Sequence, residues 1–122
     1  MLFRSGWALG VCTNKPKAAT LELLAAFGLD RYIGASVGGD EIAGIRKPDP
    51  RHLLAVIDRL GRRPEEAVMV GDSEHDVAAA RGLGVPTVAV TFGYSAVPAE
   101  ALGADAVIGE FSALERALAA LP

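Results

Sequence analysis

The run Val68-Met69-Val70-Gly71-Asp72-Ser73-Glu74-His75-Asp76 closes an apolar stretch with glycine and aspartate and sets a second aspartate four residues on. Ionised carboxylates beyond the end of a buried strand are costly unless something pairs with them. A hard divalent cation is the usual reason to converge such oxygens, and magnesium takes one or two carboxylates plus phosphate oxygens. Asp72 and Asp76 are therefore candidate ligands for Mg2+, and the chemistry they suggest involves phosphate. For Asp72 the competing reading is a solvated loop carboxylate, which its place directly after an apolar strand disfavours. For Asp76 the competing reading is a helix cap, because Ser73 followed three residues later by an acid fits a capping box.

Three further residues could serve the same chemistry. Lys47 sits before Pro48, which favours an extended backbone; it is either a solvated turn lysine or a fixed cation that neutralises phosphate oxygens. Thr13 and Asn14 end an apolar run and offer a hydroxyl, an amide and backbone N–H groups to an anion, or simply make the turn into a helix. His52 and His75 lie at helix starts with no ligand-spaced partners, which argues against a zinc site or a catalytic base. Glu74 stays undecided between solvent and site. Gly10, Gly71 and Gly93 make no dinucleotide fingerprint, and no Walker-type loop occurs.

Short β-rich runs alternating with longer helical ones must position these groups. Trp7–Cys12 reads as a strand, closed by Thr13-Asn14-Lys15-Pro16, and a helix follows from about Lys17 to Phe27 with Leu21, Leu24 and Ala25 on one face. Ala35–Val37 is a short strand before Gly38-Gly39. Asp49-Pro50 starts a helix as N-cap and first-turn proline, carrying Leu53, Leu54, Ile57 and Leu60 and ending at Gly61. Ala67–Val70 is a strand, Glu74–Arg81 a helix, and Thr87–Thr91 and Ala106–Ile108 are strands. A last helix opens with Ser112-Ala113-Leu114-Glu115, read as a capping box. This order predicts an α/β fold, a parallel sheet covered by helices on both faces, and in such folds ligands sit beyond the carboxyl ends of the strands. Thr13, Asn14, Lys47, Asp72 and Asp76 collect there.

A chain of 122 residues holds one domain at most and can bury roughly two-thirds of its unfolded surface. The hydrophobic share of 51% with 22% charged residues excludes a disordered chain. A net charge of −3 without a basic run speaks against nucleic acid as a partner. The interrupted stretch Gly82–Ala99 is no membrane span, and Met1–Cys12 shows no secretory signal. Cys12, the one cysteine, reads as a reduced core thiol. The cytoplasm is the expected compartment.

Together, Thr13-Asn14-Lys15-Pro16, Lys47-Pro48-Asp49-Pro50 and Gly71-Asp72-Ser73-Glu74-His75-Asp76 resemble motifs two, three and four of the haloacid dehalogenase superfamily. The likeness extends through Gly38-Gly39-Asp40, Val77–Arg81, Gly84-Val85-Pro86 and Phe92-Gly93-Tyr94-Ser95, and within the superfamily it is strongest to bacterial phosphoglycolate phosphatases. The resemblance implies a magnesium-dependent phosphomonoesterase on a Rossmann-like core, with a small phosphorylated metabolite such as 2-phosphoglycolate as substrate. Carried over by position, Thr13 and Asn14 would bind phosphate and Lys47 would hold the phosphate and nucleophile charges. Asp72 would bind magnesium, and Asp76 would be a second ligand or an acceptor for Lys47 and a metal-bound water.

The family's first motif is a pair of aspartates one residue apart, and here no aspartate has another two positions later. Met1–Ser5 reads as the tail of a preceding helix or an unrelated start. We therefore expect one incomplete core domain over 1–122, without nucleophile or cap and inactive alone. In the family that first strand is central, between the strands matching Trp7–Cys12 and Ala67–Val70. Its loss leaves two strand edges without a partner, so rearranged pairing, a homodimer or strand swap filling the gap, or poor solubility is expected. Two other readings are a non-catalytic binding or assembly module and, less favoured, a receiver-like signalling domain. The latter needs an acidic pair that Cys12-Thr13-Asn14 does not offer.

Overall fold

A computed structural model of the chain describes residues 7–91 and 98–121. Met1–Ser5 and the Phe92-Gly93-Tyr94-Ser95 segment lie outside the described residues. In chain order the elements are β1 (Gly10–Cys12), α1 (Lys17–Ala26), β2 (Ala35–Val37), α2 (Pro50–Arg59), β3 (Met69–Gly71), α3 (Glu74–Arg81), β4 (Thr87–Val90), β5 (Ala106–Ile108) and α4 (Leu114–Ala120). All strand pairs are parallel, so the α/β class expected from the alternation is what the chain forms.

The sheet is interrupted. β1 pairs with β2, Val11 opposite Ser36, while β3, β4 and β5 form a second ladder with Val70 opposite Val88 and Val88 opposite Ala106. The described residues supply no ladder partner for the second edges of β1 and β3, the two edges at which the resemblance implies a missing central strand. The first strand is shorter than its sequence suggests: the ladder covers Gly10–Cys12, although the Leu9 carbonyl just before it still accepts the Gly34 N–H at 2.8 Å.

Helices bridge the two ladders on one face. α2 packs on β1 and β2 and against α3, and α3 packs on β3 and β4. Their shared core contains Leu53, Ile57, Met69, Ala79, Ala80 and Val85, with Cys12 of β1 packed against it. Each of the larger side chains among them, Leu53, Ile57, Met69 and Val85, contributes about 1.5–3 kcal/mol, so the α2–α3 layer fastens the halves together. The face of β4 alternates as a strand should: Ala89 joins Val77 of α3, whereas Val88 and Val90 join Ile108 and Leu114 of α4 on the other side.

Two local expectations are corrected. The capping box at Ser112 does not form. The chain enters α4 through a 3-10 turn, Phe111–Ala113, Ala113 is the N-cap, and no side chain caps the helix. In α1 the buried residue is Thr20, whose hydroxyl donates to the Pro16 carbonyl at 3.0 Å. Leu21 and Ala25 are exposed and Leu24 is half-buried. With Leu21 at 46% and Phe27 at 71% exposure, the apolar face read from spacing is not covered by the described residues.

Candidate active site

Residues beyond the carboxyl ends of β1 and β3 converge on Lys47. Lys47 Nζ donates to Asp76 Oδ1 at 2.5 Å, with both side chains largely buried. The other carboxylate oxygen, Oδ2, accepts the backbone N–H of Asp72 at 3.0 Å and of Ser73 at 3.3 Å. The Ser73 hydroxyl in turn accepts the N–H of Asp76, completing the capping box. The two readings of Asp76 are thus compatible: one oxygen caps α3, the other anchors the lysine. Gly71 makes this approach possible, because a methyl at its position would overlap the Asp76 carboxyl group.

The backbone of Lys47 is held as tightly as its side chain. Its N–H is shared between Asn14 Oδ1 and His52 Nδ1, each at 3.0 Å, and its carbonyl accepts Asn14 Nδ2 at 3.1 Å. The Lys47–Pro48 peptide bond is cis. Asn14 therefore clamps both polar groups of one residue 33 positions away. Thr13 closes β1: its N–H donates to the Val37 carbonyl at 3.3 Å and its hydroxyl oxygen accepts the N–H of Lys15 at 3.1 Å. That hydroxyl still has a proton to donate.

The loop after β2 locks against this turn. Gly39 N–H donates to the Lys15 carbonyl at 2.8 Å and Asp40 accepts the N–H of Lys17, also at 2.8 Å. Glu41 accepts the Gly38 N–H, and its other oxygen pairs with Arg59, which also donates to the Ser36 carbonyl.

Sequence reasoning placed Thr13, Asn14, Lys47, Asp72 and Asp76 at one end of the sheet, and the structure brings Asn14, Lys47 and Asp76 into direct or shared contact. Asp72 stands half-buried directly after β3, while Glu74 and His75 are exposed on the first turn of α3. His52, read from the sequence as neither zinc ligand nor catalytic base, has a structural place there that the sequence reading does not give it. It is fully buried, with Nε2 2.9 Å from the Val37 carbonyl. The available signal was its place beside Leu53 and one turn before Val56 on the buried side of α2.

No three His, Cys, Asp or Glu side chains gather as a metal cluster among the described residues. Magnesium does not require one, since it binds through one or two carboxylates with water and phosphate oxygens completing the shell. Asp72 fits as such a ligand. Asp76, whose oxygens already take the ammonium and two amides, fits better as the group that fixes Lys47 beside it.

Cys12, at the end of β1, feels the same charges. Burial pushes its thiol up to about 11, with Lys47 acting to lower it and Asp76 to raise it. The thiolate is the reactive form, so iodoacetamide should modify Cys12 slowly at neutral pH and faster as the pH climbs toward 11. Because the folded value lies above the ordinary 9.0, the contribution to stability is complete below pH 9 and is lost as pH rises between those values. Alkylation at neutral pH as fast as that of a free thiol would contradict the buried, protonated state.

The sequence profile of the Haloacid dehalogenase-like hydrolase family matches residues 1–90. A phosphoglycolate phosphatase of Agrobacterium fabrum is 46% identical over 117 residues, 96% of this chain and 50% of the relative. One from Rhodospirillum rubrum is 50% identical over 109 residues, 89% of this chain and 45% of the relative. Among solved structures, a predicted phosphoglycolate phosphatase from Haemophilus somnus superposes with a TM-score of 0.87 at 31% identity, covering 94% of this chain and 51% of the other. The chain thus spans about half the length of the relatives it matches.

Proposed function

The chain belongs to the haloacid dehalogenase-like hydrolases, and from that premise we propose that it is the phosphate- and metal-binding part of a magnesium-dependent phosphomonoesterase. The substrate we favour is a small phosphorylated metabolite, with 2-phosphoglycolate, the substrate in the names of the two bacterial relatives, first to be tried. The observation that carries the reading is the Lys47–Asp76 pair, held at the carboxyl ends of the strands with Asp72 and Thr13 alongside.

In this reading Lys47 places a fixed positive charge against the phosphoryl oxygens, and Asp76 keeps that charge in position when the site is empty. Thr13 donates its hydroxyl proton to a phosphate oxygen. Asn14 acts by clamping Lys47 and lies beside the same anion. Asp72 would hold Mg2+, which when bound would neutralise charge on the transferring group. The 122 residues contain no aspartate pair of the family's first motif, and positioning cannot replace a nucleophile. We therefore read 1–122 as one incomplete core domain that gains activity when an aspartate-bearing strand is supplied. The edges of β1 and β3 that have no ladder partner among the described residues are where such a strand, or a strand from a second copy in a homodimer or swap, would pair. We place the protein in the cytoplasm; among the described residues no helix is long and apolar enough to cross a membrane.

The test is phosphate release from 2-phosphoglycolate and from an aryl phosphate, with magnesium and with chelator. The 122-residue chain should release none. The same chain fused behind the aspartate-bearing half of the Rhodospirillum relative should be active with magnesium, and Asp72→Asn should silence it. Turnover by the 122 residues alone would overturn the need for a supplied strand. A fusion unaffected by Asp72→Asn would overturn the metal assignment.

A further inference from the structure

His52 has no assigned part in the chemistry, yet its ring is wired into the site at both ends. Nε2 lies 2.9 Å from the Val37 carbonyl and Nδ1 lies 3.0 Å from the Lys47 backbone nitrogen. A carbonyl can only accept and a peptide N–H can only donate, so the ring carries its proton on Nε2 and presents a bare lone pair at Nδ1. A doubly protonated ring would set N–H against N–H at Lys47. The ring has no exposed surface, so water cannot substitute for either partner.

We propose that His52 is the positioning residue of Lys47: neutral, Nε2-protonated imidazole ties the lysine backbone to the end of β2 and so fixes where its ammonium stands. Asn14 Oδ1 shares the same N–H but belongs to a turn on the exposed rim, whereas His52 is rooted in the core of α2. The Val37 carbonyl also receives the Thr13 N–H. One carbonyl thereby references both the lysine and the threonine to the β1–β2 ladder. Loss of the Nδ1 lone pair leaves the Lys47 backbone held by the two Asn14 bonds alone, and the root of its four-carbon stem is then less firmly set for the bond to Asp76.

The functional meaning rests on the reading of Lys47 as the phosphate-binding cation, but the bond is tested without any turnover. In the full chain labelled with 15N, a through-hydrogen-bond coupling between the Lys47 amide nitrogen and His52 Nδ1 is expected, with the ring proton on Nε2. A proton on Nδ1, or a resolved Lys47 amide with no coupling, overturns the proposal. Positioning is then read from the acylation rate of Lys47 Nζ relative to exposed Lys15 in the same sample. His52→Leu should raise that ratio severalfold, and His52→Asn, which returns an acceptor near Nδ1, should restore much of the protection. An unchanged ratio in a folded His52→Leu chain overturns positioning. If His52→Leu does not fold, a ratio in His52→Asn far above wild type, with the Lys47 amide still bonded to the substituted side chain, does the same. Should the fusion above prove inactive while the coupling is present, the phosphatase reading falls and this one stands.

Discussion

Replacing Asp76 with alanine should lower the unfolding free energy by about 3–5 kcal/mol, the range for removing one partner of a buried ion pair. The figure applies because the side chains of Lys47 and Asp76 are 13% and 6% exposed, far from the surface pairs that contribute almost nothing. Alanine removes the carboxylate that pairs with the Lys47 ammonium at a largely buried position. It also strips the acceptor from the Asp72 and Ser73 N–H groups, undoing the N3 half of the capping box whose N-cap is Ser73. The variants should rank by which of these they retain. Asp76→Asn keeps an oxygen for the two amides and loses the charge, so it should fall between wild type and alanine. Lys47→Met leaves a carboxylate that still has two N–H donors, and should cost less than Asp76→Ala. Urea unfolding followed by circular dichroism reads all three. A loss under about 1 kcal/mol for Asp76→Ala would place the pair in the surface class and remove the structural basis for a pre-set lysine.

Much of this geometry lay beyond what residue order could convey, for identifiable reasons. The start of α2 was readable because Asp49-Pro50 is a local signal: the Asp49 side chain caps the Arg51 N–H and proline occupies the first turn. β2, α3 and β5 fall where the sequence puts them, since each is bounded by its own turn or cap. α1 was misread because spacing reports which residues share a face, and burial depends on what packs against that face. The Ser112 box failed for a related reason: a preceding 3-10 turn shifts the first helical residue to Leu114. At the site, the motifs identified the residue types, but the pairing of Asn14 with Lys47 and of His52 with Val37 is set by chain crossovers. No local pattern announces a lysine held by its backbone as well as by its ammonium.

The same dependence on close backbone approach makes Gly39 the most vulnerable small residue of the site. Gly39→Ala should destabilise the chain by an amount at the upper end of the about 1–3 kcal/mol typical of overpacking. A methyl there would meet the Asn14 carbonyl carbon and Cα at 2.8 and 2.9 Å, with the carbonyl oxygen closer still. The obstacle is main chain, which cannot rotate aside as a flexible side chain can. Nor can the Gly38–Glu41 loop simply retreat. The Gly39 N–H is bonded to Lys15, Asp40 caps the first turn of α1, and Glu41 is tied to Arg59. Relief must come from moving the Thr13-Asn14 turn, and that pulls Asn14 away from Lys47, 33 residues distant in sequence. The substitution should therefore show two linked effects: a lowered urea midpoint, and shifted NMR resonances for the Lys47 amide and the Asn14 side-chain amide. A Gly39→Ala chain of wild-type stability with those resonances unmoved would mean that the turn and the loop are not interlocked, and that Asn14 does not hold Lys47 through the two bonds described.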